Sequence, residues 1–341
     1  MGILTIDSHS SEEEEVNKLS KMAIAYIDSS IADSTRLSYN SGLKNYVGFC
    51  EKLNLVAFPL HQSNVILFAT ELAKTNSLSA INIQLAGIKF TAHKYGYSED
   101  CSQFRRLYLL LQGIKCSHGL TVRKKKRAPI TPVMLREMNL HLFNSSRNYH
   151  DKQMLWAAML CAFFGFLRVS EYTSPNAKTF NNNTLCHDDV VFNVTGTQCC
   201  LRLKGSKTDP FRVGVNIRLS SNGSSLCPLQ ALKNYLMSRP AVKGPLFVFQ
   251  NGSYLTRQSF SRVLKTVLTN SEGISTHSFR IGAATTAAAM GFPRWLIKSL
   301  GRWSSDCFRD YIRVPDNTIE AVSKSLVLGP DHGLTFDPDL A

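Results

Sequence analysis

Apolar side chains recur at helical spacing along most of this chain, and only between Val190 and Ile217 does the period fall to two. Val190, Phe192 and Val194, then Leu201 and Leu203, then Val213, Val215 and Ile217 alternate with polar neighbours, which predicts short strands with one buried face. One island of alternation in a helical chain restricts the fold to mainly α with a small antiparallel sheet in the second half. The stretch LKGSKTDP reads as a tight connection between two of those strands, and a further short strand is expected over 246–249.

The first half has no alternation and no internal repeat. Residues 1–15 are polar and acidic and are expected to form a disordered tail. Val16, Leu19, Ala23 and Ile27 predict a first helix, and Leu37, Tyr39, Leu43, Tyr46, Val47 and Cys50 lie near one stripe of a second. Helical patterns over 63–74, 79–95 and 103–115 complete a bundle spanning 16–117. Periodicity then stops over 118–131, where five cations follow one another: Arg123, Lys124, Lys125, Lys126 and Arg127. Flanking Gly and Pro make this a domain linker. As a charge run it fits a solvated surface, a nuclear-import signal or a strap across a phosphate backbone.

Length and charge narrow the class of partner. A chain of 341 residues predicts about two domains. Its net charge of +14 and pI near 9.4 point to a polyanion, with nucleic acid ahead of an anionic membrane surface. No apolar run reaches membrane-spanning length. The N-terminus lacks the basic and apolar regions of a secretory signal, so neither secretion nor a membrane partner is expected. Nine cysteines without C-x-x-C spacing read as free thiols in a reducing compartment. No Cys or His pair has ligand spacing, so no metal site is expected.

The second domain is expected over 132–315. Thr131-Pro132 caps its first helix, and a long apolar helix over 151–166 delivers GFLRVSEY. Arg168 arrives there at the end of a buried pattern, where a charge costs free energy unless it is paired, and Glu171 is the natural partner. Helices are expected over 228–238 and 256–268. Next comes THSFRIGAATTAAAMGFPRWLIKSLGRWSSDCFRDY, with Thr276 read as an N-cap and His277 and Arg280 three apart on the first turn. A short helix ends at Gly301, Arg302 and Trp303 follow, and Tyr311 falls in a last short helical pattern. Such a set suits phosphoryl transfer from DNA to a hydroxyl: fixed cations stabilise the charge that gathers on an attacked phosphodiester. A phenol with a pKa of about 10 needs cationic or basic neighbours to act as the nucleophile.

Arg168 in GFLRVSEY, SKTD, HSFR, LGRW and Tyr311 in DYIR occur in the order and spacing of the tyrosine recombinases, the phage integrase family, which the chain resembles over 129–315. STRLSYNSGLKNYVGFC resembles that family's SAM-like core-binding domain, and the wording GRW and YIR looks most like recombinases of eukaryotic crypton and DIRS-type mobile elements. The resemblance implies an all-helical N-terminal core-binding domain and an α+β catalytic domain. It also implies a cofactor-free and metal-free reaction in which Tyr311 attacks the scissile phosphate of double-stranded DNA and leaves a 3′-phosphotyrosine. Arg168 and Arg280 would clamp the phosphate, Glu171 would support Arg168, and His277 would assist proton transfer.

Lys207 would protonate the leaving 5′-oxygen, with Lys204 at the end of the preceding strand as the other candidate. The family usually has His or Trp where Arg302 stands; either Arg302 donates to the phosphate or Trp303, one step on, supplies the packing. A homotetramer on paired DNA sites is implied, without a small-molecule substrate, in the nucleus of a eukaryote or otherwise in the cytoplasm. The segment 316–341 would dock its Ile319, Val322 and Leu326 stripe on a neighbouring protomer or on its own domain. An inactive, domesticated DNA-binding protein and a type IB topoisomerase are the competing readings.

Overall fold

The computed structural model describes residues 7–97, 104–121, 127–205, 209 and 213–312, without the side chains of 7–12, 118–121, 310 and 311. The chain forms two compact units, one ending at Lys124 and the other beginning at Lys125. Arg123, Lys124, Lys125, Lys126, Lys207 and the segment 316–341 lie outside the described residues.

The first unit holds five helices: α1 (Asp7–Ser29), α2 (Asp33–Lys52), α3 (Gln62–Ala73), α4 (Leu78–Lys94) and α5 (Arg105–Thr121). Its core gathers Tyr46 and Cys50 of α2, Val65 and Phe68 of α3 and Ile81 and Ile88 of α4. Helix α1 departs from expectation at both levels. It starts at Asp7, so 7–15 are helical rather than disordered. A run of glutamates near a helix N-terminus has good helix propensity and complements the macrodipole, which outweighs its polarity. The stripe of Val16, Leu19 and Ile27 is 62%, 56% and 39% exposed. An ion pair of 2.7 Å from Lys94 to Asp28 ties the C-terminal end of α1 to α4. Helix α5 runs to Thr121, four residues into the segment expected to be linker.

The second unit is built around α7 (Tyr149–Phe164), whose N-cap Asn148 accepts the Asp151 N–H at 2.8 Å. Twelve of its sixteen residues are buried, because α6 (Pro132–Asn144), α9 (Pro228–Ser238) and α11 (Ser278–Ala289) pack around it. A helix apolar on all sides demands such a central place. After the short α8 (Val169–Tyr172) come β1 (Val190–Phe192), β2 (Gln198–Leu203) and β3 (Val215–Ser220), antiparallel in the order β1-β2-β3. Leu201 stands opposite both Val190 and Ile217, and Cys199, Leu201, Leu203 and Leu219 face the core.

Four strand expectations are corrected. Val194 lies beyond β1 on an exposed turn, Val213 precedes β3, and the link from Leu203 to Val215 is too long for a tight hairpin. Residues 246–249 form no strand and make an isolated bridge from Val248 to Tyr254 instead. Alternation marks the buried face, but pairing partners decide where the ladder stops. Among the described residues the remaining elements are α10 (Arg257–Val267), α12 (Arg294–Gly301) and two 3-10 helices, His187–Asp189 and Asp306–Tyr311. The segment ahead of α6 lies over α11, with the Ile130 N–H donating to the Ser278 carbonyl at 3.0 Å. Gly282 permits this approach, since a Cβ there would overlap the Ile130 carbonyl. Among the described residues no helix is long and apolar enough to cross a membrane.

Candidate active site

Two helix C-termini converge in the second unit, and each leaves carbonyls that its own helix cannot satisfy. Helix α7 ends at Phe164, with Gly165 as its C-cap and Phe166 in left-handed backbone at φ 48°. Helix α12 ends at Gly301, with Arg302 left-handed at φ 56°. Three guanidiniums cap these ends. Arg280 donates to the Phe166 carbonyl and to the Gly301 carbonyl. Arg302 donates to Gly165 at 3.1 Å and Phe166 at 3.2 Å. Arg168 donates to the Arg302 carbonyl at 3.4 Å. Cations at the negative ends of two helices are favourably placed.

One buried carboxylate binds the layer together. Glu171, 2% exposed, accepts the Arg168 guanidinium at 3.1 Å on Oε1. On Oε2 it takes Arg302 at 2.8 Å and the Arg168 backbone N–H at 2.8 Å. Arg168 is the N-cap of α8, so Glu171 falls one turn away by helix geometry alone. Burial draws the Arg302 pKa down while Glu171 opposes it. Trp303 closes the layer from above: the Arg280 guanidinium lies 4.2 Å from its ring centroid, and Phe166 and Phe308 flank it. A methyl on Gly301 would overlap that ring, which explains the Gly-Arg-Trp wording.

His277 stands at the edge of this layer. Helix α11 begins at Ser278 with His277 at the N-cap position, so Thr276, expected as the cap, is instead buried behind it. No side chain caps the helix start; Ser275 and Ser278 instead tie the turn ahead of it, the Ser275 N–H donating to the Ser278 hydroxyl at 3.0 Å and the His277 N–H to the Ser275 hydroxyl at 3.3 Å. Burial first, then the charges of Arg280, Arg127, Arg168 and Arg257, push the His277 pKa down to about 4. Its imidazole is therefore neutral at pH 7 and able to accept a proton.

No protein-family model matches the chain, and no curated protein matches it. Solved structures do. The Tn1549 transposon integrase in complex with transposon right-end DNA superposes with a TM-score of 0.56 over 87% of this chain and 95% of that one, at 15% identity. A lambda integrase dimer bound to a COC′ core site gives 0.54 over 91% and 81%, at 11% identity. The XerH site-specific recombinase bound to palindromic difH substrate, post-cleavage, gives 0.53 over 79% and 70%, at 14% identity. The fold is that of the tyrosine recombinases.

Within this recombinase fold the structure brings together Arg168, Glu171, His277, Arg280, Arg302 and Trp303, from three separate stretches of sequence. Arg280 is 1% exposed, the Arg302 and Arg168 side chains are 12% and 17% exposed, and His277 is half-buried. The 3-10 helix that ends at Tyr311 packs on α11 and α12 through Phe308 and places the Tyr311 backbone, while its side chain lies outside the description. Lys204, on β2's far end, pairs with Asp189 at 2.9 Å, a hydrogen bond that raises its pKa. Arg127 is exposed.

Sequence reading passed over two features. The carbonyls of Gly165 and Phe166 are as much part of the layer as any side chain, and a Gly-Phe pair closing a buried helix was their only signal. The polar face of α10 carries Arg257, Arg262 and Lys265 along a cleft of about 720 Å³, legible as cations recurring at helical spacing in RQSFSRVLK.

Proposed function

We propose that the chain is a site-specific DNA recombinase or integrase that cuts and rejoins duplex DNA through a 3′-phosphotyrosine at Tyr311. The observation that carries this reading is the charge balance of the layer: three guanidiniums and one carboxylate converge, with a neutral imidazole beside them. A net cationic cluster backed by two helix ends suits a phosphate that gains negative charge during attack. The neighbours named above were solved on DNA, and the net charge of +14 suits the same partner.

Arg168 and His277 present the exposed edge to the phosphate. Arg280 adds its charge from beneath, where its guanidinium meets two carbonyls. His277, neutral at pH 7, takes the phenolic proton as the Tyr311 oxygen bonds to phosphorus. The 5′-oxygen leaves with a proton from Lys207; Lys204, held by Asp189, is the less available ammonium. Arg302 acts as a positioning residue for Glu171 and Arg168, with Trp303 as the packing surface. The basic run 123–127 and the basic face of α10 contribute phosphate contacts. Assembly as a tetramer on paired sites, with the 316–341 segment docked in trans, completes the reading.

The test uses sites selected from random DNA and a nicked suicide substrate. Wild type should form a covalent adduct, Tyr311→Phe should form none while binding with unchanged affinity, and a 5′-bridging sulfur should rescue Lys207→Ala. An adduct with the Phe variant would remove Tyr311 from its role. Tight binding by wild type without any adduct would make the chain a DNA-binding module of this fold.

A further inference from the structure

A second cleft, of about 230 Å³, opens between α6, α7 and α9 of the same unit, and one wall of it is the Cys227 thiol. Cys227 is the N-cap of α9, 5% exposed, and its sulfur accepts the Gln230 N–H at 3.4 Å with the Ser221 hydroxyl at 3.7 Å. The turn before it is held by its own side chains: the Ser224 N–H and hydroxyl both donate to Asn222 Oδ1, and the Leu226 N–H donates to the Ser224 hydroxyl. The sulfur is therefore fixed in place among donors. Burial raises the Cys227 pKa, but hydrogen bonds from the backbone of Asn222, Gln230 and Leu229 and from Ser221 outweigh it, and the net direction is down. Burial instead drives Cys161 and Cys199 up.

The opposite wall carries donors without acceptors. Gln153 and Trp156 of α7 are each 5% exposed, line the cleft, and have no hydrogen-bond partner for their side chains among the described residues. Their amide and indole N–H groups open onto the cleft and are free to donate to whatever small acceptor enters it. No charged side chain lines the cleft, so the occupant that suits it is small, neutral and oxygen-bearing.

We propose that Cys227 is a modification site for hydrogen peroxide, with Gln153 and Trp156 holding the oxygen it acquires. The sulfur attacks one peroxide oxygen, an S–O bond forms as the O–O bond breaks, and two electrons pass from sulfur to the leaving oxygen. That oxygen departs as hydroxide and becomes water with the thiol's proton, leaving Cys227 as a sulfenic acid. The new oxygen enters the cleft that Gln153 and Trp156 also line.

The experiment exposes the full-length protein to graded peroxide, quenches with catalase, unfolds in iodoacetamide and measures by mass spectrometry the free thiol left at each cysteine. Cys227 is expected to be lost at several-fold lower peroxide than Cys116 and Cys307, which are exposed, and dithiothreitol should restore it. Earlier loss at Cys116 or Cys307 would overturn the proposal. Gln153→Met, close in volume and lacking the amide, should slow loss at Cys227 several-fold with Cys116 and Cys307 unchanged; an unaltered rate at Cys227 would remove the cleft from the chemistry.

Discussion

Arg302 and Arg168 each hold one side of the same carboxylate, yet they differ in what else they hold. Arg302 spends its guanidinium on Glu171, Gly165 and Phe166, whereas Arg168 adds one bond to the Arg302 carbonyl and its charge is felt at His277. The site thus has a buried layer of Glu171, Arg280, Arg302 and Trp303, and an edge of Arg168 and the half-buried His277. A buried ion cluster is weak as a source of stability but costly to break, because each loss strands a partner in low dielectric. Substitutions in the layer should therefore be felt as unfolding. Substitutions at the edge should be felt in chemistry.

Glu171→Ala makes the sharpest test of that division. It strands Arg168 and Arg302 together, and thermal or urea unfolding should register a loss of about 3–5 kcal/mol. A melting curve matching wild type would mean that the layer does not frame the site. Next is Arg302→Lys, which keeps the charge but cannot serve Glu171, Gly165 and Phe166 at once from a single ammonium. It should cost about 1.5–3 kcal/mol, the worth of hydrogen bonds to a charged group, measured by the same unfolding curves. Gly301→Ala drives a methyl into the Trp303 ring and should cost about 1–3 kcal/mol as overpacking, with a drop in Trp303 fluorescence anisotropy as the ring shifts.

The smallest effect belongs to the edge. The folded protein keeps His277 deprotonated down to about pH 4, whereas an unfolded chain takes up that proton near 6.5. Stability therefore declines as pH falls from 6.5 to 4 and loses no more to this group below that. Melting temperature followed across this window should fall less in His277→Asn than in wild type. Equal slopes would place the acid sensitivity elsewhere.

How much of this was legible beforehand depended on the range of the interactions. The Arg168–Glu171 pair, three residues apart across a helix start, could be read from spacing, as could the cap at Thr131 and the span of α9, because local geometry dictates them. The mainly helical fold with one small sheet followed from the period of the apolar residues, and the observed sheet lies where the period changes. The helix over 7–15 was misread because polarity was weighed above helix propensity and the macrodipole, both of which are local.

Only the tertiary structure decided which way Arg302 points, since its partners are 131 to 137 positions away in sequence and include backbone carbonyls that carry no residue signature. It decided that Trp303 covers Arg280 and that Gly301 must be bare. It also decided that Cys227, one of nine cysteines in the sequence, shares a cleft with Gln153 and Trp156 on another helix. Sequence determines periodicity and caps because these need only neighbours. Burial and orientation need the rest of the chain.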